Sequence, residues 1–411
     1  MLRFVLRYLV LLPVLLLAVA VGSVLGVRAF LQSANSADAR IVSPRGINEA
    51  GYVQLGGARQ WVTIRGQDRR QPILVYLHGG PGGTTSDLAY SFQRPWEDYF
   101  TVVQWDQRGF GRSAIDGEAL RGTITKTQLV DDAIALIEHL RRRTGQQKVI
   151  LLGHSWGTVL GAEVAKRRPD LLYAYVGFGQ LTGWKRNMEE TRAALAEIGR
   201  TTGNAALVKA MADAGPAPDA HDTEAFSAWI AKIQTHLSAA RGSWYNSAGA
   251  KDIASRMLMT AFASPTLSLR GMWRMLNTDA ELALDPLMAS VADWDFRETL
   301  GRDFDVPMIF VSGRHDLQTP MAAAARLAAE LCAPHTEMIV IENSAHFLVT
   351  EEPGRVLGAL LKVRPFAEGA APAAEPECKA ETARGRHLTV PASPPSSPSA
   401  APRGLSVRPA A

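Results

Sequence analysis

The feature that most constrains the fold is the segment VILLGHSWGTVLGAEVAKRR, residues 149–168. It begins with an apolar run of strand length and ends with helix-forming residues, and the sequence Gly-His-Ser-Trp-Gly lies between them at 153–157. Gly153 and Gly157 suit a tight turn because they carry no Cβ where neighbouring backbone lies close. The segment therefore predicts a strand, a sharp turn and a helix, with Ser155 raised at the end of the strand.

The same alternation of apolar strands and amphipathic helices recurs on both sides of this segment. A predicted hairpin precedes it, followed by strands that run into the loops HGGPGG and WDQRGFGRS, and the alternation returns from residue 306 onward. The pattern predicts an α/β fold whose mainly parallel sheet is covered by helices on both faces. In such sheets the functional residues follow the carboxyl ends of the strands.

Residues 181–304 interrupt the alternation with several helices and no clear buried strand. Five of the nine tryptophans and seven of the eleven methionines of the chain lie there. Methionine suits an apolar and adaptable surface. We therefore predict a helical lid inserted into a core of residues 50–180 and 305–366. Most of the large side chains of the lid are expected to form its own core, and a few to face the cleft.

The amino-terminal residues 1–30 predict a membrane segment. Arg3 and Arg7 precede an uncharged stretch, residues 8–27. This stretch is long enough to cross a bilayer core of about 30 Å. The basic flank predicts a cytoplasmic amino terminus and an exported domain on the periplasmic side of a bacterial inner membrane. An uncleaved signal anchor is favoured, because the apolar region of a signal peptide spans only about 7–15 residues. A cleaved signal peptide, which would release a secreted protein, and a buried helix are the alternatives.

Two further segments lie outside the predicted α/β core and lid. Residues 31–49 are polar and predict a linker, and residues 367–411 are rich in alanine, proline and serine and predict a disordered tail. The net charge of +4 comes from scattered basic residues, so we expect no nucleic-acid partner. Two cysteines, Cys332 and Cys378, are too few for a metal site or a disulfide framework, and we expect free thiols.

Ser155 has the partners that an acyl-transferring serine needs, which are a base, an acid that orients the base, and donors for the oxyanion. Asp316 follows the strand MIFVSG and His346 follows the strand EMIVIE, so all three should lie at one sheet edge. Serine, acid and histidine also occur in the chain order of α/β-hydrolase sheets. We predict Ser155 as nucleophile, His346 as base and Asp316 as the orienting acid. His315 adjoins the acid and His335 precedes the last strand, so both are poorer candidates for the base.

The oxyanion donors are predicted from the same loops. One is the backbone N–H of Trp156, which follows the nucleophile. The other is the amide of Gly79 or Gly80 in the turn HGGPGG, where backbone must approach the substrate closely.

Five segments, HGGPGG, WDQRGFGRS, GHSWGT, GRHDLQTP and SAHF, together resemble the proline iminopeptidase-like branch of the α/β-hydrolase fold. The resemblance covers roughly residues 50–365 and implies the same roles for the serine, the histidine and the aspartate. It also implies that no metal or cofactor is needed, and that the substrate is a short peptide that loses its amino-terminal residue, often proline. Some relatives hydrolyse other amides or esters. WDQRGFGRS shapes the site in this family, and we expect Asp106 and Arg108 to form an ion pair that holds the oxyanion loop.

The substrate is the least determined feature. Carboxylates must bind the ammonium group of a free amino terminus, and Glu189 and Glu190 are the first candidates, with Asp279 and Glu281 later in the lid. The alternative is that these are solvated charges on helix faces. Three hypotheses therefore stand, which are an aminopeptidase, an esterase or lipase-like enzyme that binds an acyl chain under the lid, and a membrane-tethered binding protein without activity. A complete set of catalytic parts argues against the third.

Overall fold

An eight-stranded sheet organises the chain in the computed structural model, which describes residues 2–116, 120–239, 243–246, 250–276 and 287–369. The strand order is β1-β2-β4-β3-β5-β6-β7-β8. The strands are β1 Ile47–Leu55, β2 Ala58–Gly66, β3 Ile73–Leu77, β4 Thr101–Trp105, β5 Val149–His154, β6 Leu172–Phe178, β7 Met308–Gly313 and β8 Thr336–Ile341. β1 and β2 pair antiparallel, β2 pairs antiparallel with β4, and all later pairs are parallel. The predicted mainly parallel sheet is confirmed.

The central strands are short apolar runs because both of their faces are covered. Every residue of β3, β4, β5 and β7 is buried, as is typical of parallel strands between two helical layers. The β1–β2 hairpin lies at the sheet edge, and its turn uses Gly56 and Gly57, whose φ angles are 52° and 81°. Two consecutive positive φ angles are what a two-residue hairpin turn requires.

Helices cover both faces of the sheet. One layer contains α2 Lys126–Thr144, α3 Trp156–Arg167 and α10 Met321–Glu330, and the other contains α12 Pro353–Ala367, preceded by the short α11 Leu348–Glu351. α2 has a defined cap at each end. The Thr125 side chain accepts a hydrogen bond from the N–H of Gln128 at its start, and Gly145 ends it in the left-handed conformation with φ 77°.

The segment between β6 and β7 contains the helices of the lid. Its described helices are α4 Trp184–Thr201, α5 Ala205–Ala214, α6 Thr223–Ala239, α7 Ala250–Ala263, α8 Leu269–Leu276 and α9 Phe296–Leu300. A separate apolar cluster holds α4, α5 and α6 together, and it includes Leu195, Met211, Phe226, Trp229 and Ile233.

The tryptophans of the lid have different surroundings. Trp229 stacks on Phe226 inside the lid, with ring centroids 6.0 Å apart, whereas Trp294 belongs to the core of the sheet. Trp244 contacts the predicted site, and Trp273 is exposed on α8. Large side chains that look alike in the sequence therefore serve the lid core, the sheet, the site and the surface.

The amino-terminal helix α1 runs without interruption from Leu2 to Asp38, through Pro13. It extends into the stretch interpreted as a linker, because residues 31–38 contain neither glycine nor proline to end it. Its part from Leu11 onward is long and apolar enough to cross a membrane, by length and composition, and little of it is buried.

One expectation about the cysteines is wrong for the part of the chain that the structure describes. Cys332 is disulfide-bonded and is not a free thiol. Cys378 lies outside the described residues, as does almost all of the tail predicted for 367–411.

Candidate active site

The turn after β5 holds Ser155 in an unusual backbone conformation. Ser155 has φ 53° and ψ −120°, and it is the one non-glycine residue with a positive φ among the described residues. Such a conformation is costly and persists only when surrounding contacts hold it. Here the N–H of Ser155 donates to the carbonyl of Phe178 at 2.8 Å, and its carbonyl accepts the N–H of Thr158 at 2.8 Å.

The two glycines of the turn allow the close approach that the sequence suggested. A Cβ on Gly153 would lie 2.5 Å from the carbonyl oxygen of Gly157, and a Cβ on Gly157 would collide with the backbone of Leu77. The turn therefore packs directly against the end of β3, where the glycine-rich loop begins.

Asp316 and His346 meet in a buried hydrogen-bonded pair. His346 Nδ1 lies 2.9 Å from Asp316 Oδ2, and each residue is only 2% exposed. The other carboxylate oxygen, Oδ1, accepts the backbone N–H groups of Gln318 and Thr319, both at 2.9 Å. Asp316 thus also caps its own loop, in addition to contacting the histidine. These bonds fix the carboxylate so that Oδ2 faces the imidazole.

The end of β6 contacts Ser155 on one side and this pair on the other. Ser155 is hydrogen-bonded to Phe178, and the next residue, Gly179, has φ 55°. A Cβ on Gly179 would lie 3.2 Å from both Asp316 Oδ2 and His346 Cε1. The three predicted catalytic residues therefore lie around the end of β6, at the carboxyl edge of the sheet. His335 precedes β8 and so lies at the opposite edge.

His154 holds the loop of His346 through a hydrogen bond to its backbone. Its Nε2 donates to the carbonyl of His346 at 3.1 Å, and its Nδ1 then accepts from the hydroxyl of Tyr76, also at 3.1 Å. Burial and the neighbouring His346 lower the pKa of His154 to about 3. His154 is therefore neutral at ordinary pH and serves to position the carbonyl that it contacts.

The glycine-rich loop lies over Ser155, as an oxyanion loop must. A Cβ on Gly79 would lie 3.1 Å from Ser155 Cβ, and Gly80 has φ 117°, where a side chain would be strained. The loop is held by His78, whose Nδ1 donates to the carbonyl of Gly79 at 2.8 Å while its Nε2 accepts the N–H of Gln107 at 3.2 Å. Burial lowers the pKa of His78 to about 4, so the ring stays neutral and keeps this tautomer.

Gln107 is a site residue that the sequence analysis missed. Its side-chain amide donates to the carbonyl of His78 at 3.1 Å and its carbonyl accepts the indole N–H of Trp156 at 3.2 Å. It therefore ties the loop of Gly79 to the residue after the nucleophile. Its place between Asp106 and Arg108 in WDQRGFGRS was the available signal.

The predicted ion pair between Asp106 and Arg108 is wrong. Arg108 instead forms a bidentate pair with Asp132 of α2, with Nε–Oδ2 2.7 Å and Nη2–Oδ1 2.8 Å. Asp106 Oδ2 accepts the backbone N–H of Arg112 at 2.9 Å and closes its own loop. The planar guanidinium of Arg108 donates to both oxygens of the Asp132 carboxylate, which is the geometry that such a group favours. Asp106 is instead bonded within its own loop, so the carboxylate on α2 is the partner of Arg108.

The carboxylates predicted to bind an ammonium group differ in their surroundings. Glu190 is half-buried and forms an ion pair with the exposed Arg326 of α10, which argues against its role as a substrate ligand. Glu189 is half-buried on α4. Asp279 and Glu281 lie outside the described residues.

Aromatic side chains line the lid side of the histidine. The Trp244 ring lies 5.5 Å from the His346 ring at 71°, and it stacks on Phe347 at 5.1 Å. The N–H of Phe347 donates to the carbonyl of Trp244 at 2.9 Å, so this lid segment is attached to the histidine loop. The neighbourhood of His346 is therefore apolar on this side.

Comparison with known proteins agrees with this architecture. The model of a family described as the alpha/beta hydrolase fold matches residues 72–353. The probable aminopeptidase YbaC of Bacillus subtilis is 28% identical over 301 residues, 73% of this chain and 91% of that protein. A proline iminopeptidase of Saccharolobus solfataricus is 22% identical over 317 residues, 75% of this chain and 90% of that protein.

A solved structure shows the same fold. The proline iminopeptidase-related protein from Thermus thermophilus superposes with a TM-score of 0.56 at 24% identity, over 78% of this chain and 98% of that one. The resemblance to proline iminopeptidases and related aminopeptidases is thus confirmed, at modest identity.

Proposed function

Because the chain belongs to the α/β-hydrolase fold family, we propose that it is a serine hydrolase in which Ser155 is the nucleophile, His346 the base and Asp316 the orienting acid. The observation that carries this proposal is the buried pair of His346 Nδ1 and Asp316 Oδ2, 2.9 Å apart, beside the strained turn of Ser155. A carboxylate that holds Nδ1–H leaves Nε2 as the atom that accepts the serine proton.

The mechanism has two stages. Ser155 Oγ gives its proton to His346 and attacks the substrate carbonyl, and the backbone amides of Trp156 and of Gly79 or Gly80 stabilise the oxyanion. His346 then protonates the leaving amine or alcohol. Water, activated by the same histidine, releases the acyl group from the serine. Neither stage calls for a metal or a cofactor.

The proposed substrate is a short peptide or an aminoacyl amide, cleaved after its amino-terminal residue. Similarity to the probable aminopeptidase YbaC over 91% of that protein's length supports this choice. The ammonium group needs a carboxylate partner, and Glu189 is the described candidate that remains, since Glu190 is paired with Arg326.

A carboxylic ester hydrolase is the second candidate, and a specific observation favours it. Trp244 and Phe347 form an aromatic wall beside His346, which suits an acyl or alkyl group. The two candidates share the serine chemistry and differ in whether the substrate carries a charge at its amino end.

A substrate panel separates these functions. It contains proline arylamide, its N-blocked form, alanine arylamide and short acyl esters. An aminopeptidase hydrolyses free proline or alanine arylamide and leaves the blocked compound, whereas equal rates on free and blocked substrates would exclude ammonium recognition. Ser155→Ala should lower kcat by about 10⁶-fold on every active substrate. Full turnover by that variant would refute the serine mechanism, and a wild-type protein inactive on the whole panel would favour a binding protein.

We also propose that α1 is an uncleaved membrane anchor with the hydrolase domain on its exported side. The end of α1 supports this proposal, because Gln32 and Asn35 donate hydrogen bonds to the lid carbonyls of Ser264 and Ala263 at 2.6 and 2.9 Å. Cleavage after this helix would remove these contacts. Intact-mass analysis of protein from the membrane fraction tests the proposal, and a mature protein that begins after Asp38 would disprove it.

A further inference from the structure

The end of α1 is joined to the lid by an ordered series of contacts. Asn35 bonds to the carbonyl of Ala263, Gln32 to that of Ser264, and Arg28 to that of Leu267. Arg28 is itself buried, and its guanidinium lies 5.9 Å from the centre of the Phe262 ring. As the α1 residue number falls, the lid residue number rises, so the two segments run in opposite directions.

Because the two segments are antiparallel, the lid chain approaches the end of the uncharged stretch of α1. At 1.5 Å per residue, Asn35 lies roughly 10 Å beyond Arg28 along α1, and Arg28 directly follows the uncharged stretch 8–27. The lid chain approaches that end of the stretch from Ala263 to Leu267. α8 begins at Leu269, two residues further on.

α8 has one face towards the protein and another towards solvent. Met272 is buried against Leu267 and Ala261, whereas Leu269 is 52% and Trp273 65% exposed. Leu269 and Trp273 are four residues apart and therefore share a helix face. Arg270 and Arg274 are exposed beside them. Exposed apolar side chains continue on α7, at Met257, Leu258 and Met259.

We propose that α8 lies on the bilayer surface, with Leu269 and Trp273 at the boundary between headgroups and acyl chains and with Arg270 and Arg274 at the lipid phosphates. Tryptophan is enriched at this depth, and an apolar helix face with flanking arginines is typical of interfacial helices. The proposal rests on α1 as a membrane anchor, because α1 places α8 there. The lid would then be attached to the membrane at two points, through α1 and through α8.

Tryptophan fluorescence tests this proposal on the full chain reconstituted in lipid nanodiscs of phosphatidylcholine and phosphatidylglycerol. Residues 1–38 contain no tryptophan, so quenching by brominated acyl chains reports on the rest of the protein. If the nine tryptophans emit about equally, brominated lipid should remove roughly one ninth of the emission. Bromine near the headgroup end of the acyl chain should quench more than bromine near its methyl end.

Two matched variants identify the tryptophan involved. Trp273→Phe should abolish the quenching, whereas Trp229→Phe should keep it, because Trp229 is buried in the same lid. Equal activity of both variants and the wild type in discs shows that they are folded. Wild-type protein that elutes with the discs but is not quenched would overturn the proposal.

The same experiment separates other outcomes. Protein that does not elute with the discs would refute the anchor and, with it, the position of α8, and it would leave the serine chemistry intact. An unquenched protein that is dimeric in the disc would mean that the α8 face binds a second copy of the chain, which also overturns the proposal.

Discussion

The carboxyl edge of the sheet and the outer helices of the lid are built in opposite ways. At the sheet edge, both carboxylate oxygens of Asp316 are hydrogen-bonded, and neutral His78 and His154 each make two hydrogen bonds. On α7 and α8, large apolar side chains such as Met259 and Trp273 point outward.

This difference suggests separate roles for the two regions, with the proposed chemistry at the sheet edge and contacts with other molecules at the lid surface. Catalysis by a serine depends on atoms held within tenths of an ångström, so the sheet edge leaves little freedom. The exposed apolar side chains of the lid are instead the ones for which we propose contact with the membrane. We therefore expect substitutions at the sheet edge to change rates or pH-dependent stability, and substitutions on the lid surface to change little in the isolated domain.

After Ser155→Ala, the largest effect is expected for Asp316→Asn. The amide would face two donors, His346 Nδ1–H and the hydroxyl of Thr319, which lies 2.8 Å from Oδ2. The imidazole would then lose the tautomer that accepts the serine proton, and kcat should fall about 10⁴-fold. Steady-state kinetics measure this, with the exposed loop variant Asp305→Asn as control. A loss smaller than tenfold would show that the pair does not orient the base.

Asp106→Asn should change the pH dependence of stability. Burial raises the pKa of Asp106 to about 7. At this site the folded state therefore binds more protons than the unfolded state between about pH 4 and 7, and the contribution of Asp106 to wild-type stability falls as pH rises through this window. The variant lacks this pH-dependent loss of stability. The difference between its free energy of unfolding and that of wild type should therefore rise by about 3 kcal/mol from pH 4 to 7.

Denaturant titration at several pH values measures that difference. His78 and His154, whose pKa values burial lowers to about 4 and about 3, contribute with the opposite sign, since their stabilisation is lost as pH falls below about 6.5. Subtraction of wild type from variant cancels their contribution. A difference that stays constant with pH would contradict the assignment to Asp106.

Gln107→Ala tests the link between the two proposed oxyanion donors. The variant loses the bonds to the His78 carbonyl and from the Trp156 indole. The amide positions should loosen, and kcat should fall about 10- to 100-fold with little change in KM. The exposed Gln147→Ala variant is the control. An equal rise in KM with unchanged kcat would instead indicate a role in substrate binding.

The smallest effect is expected for Glu190→Gln. Its pair with Arg326 is exposed, so its loss should change stability by less than about 0.5 kcal/mol and leave KM for aminoacyl arylamides unchanged. Glu189→Gln is the matched comparison on the same helix and should raise KM if Glu189 binds the ammonium group. A raised KM for Glu190→Gln alone would restore Glu190 as the ligand.

Much of the sheet edge was predictable from local patterns. Strand ends are local features, and the order of Ser155, Asp316 and His346 follows the order of the strands. Parallel strands place their carboxyl ends at one edge, so the three loops had to converge there.

Contacts between distant segments were not predictable in this way. The pairing of Arg108 with Asp132 rather than Asp106 depends on how α2 packs against the sheet. Gln107 became a site residue only through its contacts with His78 and Trp156. The pairing of Glu190 with Arg326 likewise depends on α4 lying next to α10.

By itself the sequence determined the strand–turn–helix segment around Ser155, the mainly parallel sheet, the inserted lid and the apolar amino-terminal stretch, because hydrophobic periodicity and turn residues act over short distances. Only the tertiary structure decided which charges pair, which lid tryptophans are buried, and that α1 joins the lid beside α8. Those outcomes depend on side chains far apart in the chain, and a linear pattern carries no information about the distance between them.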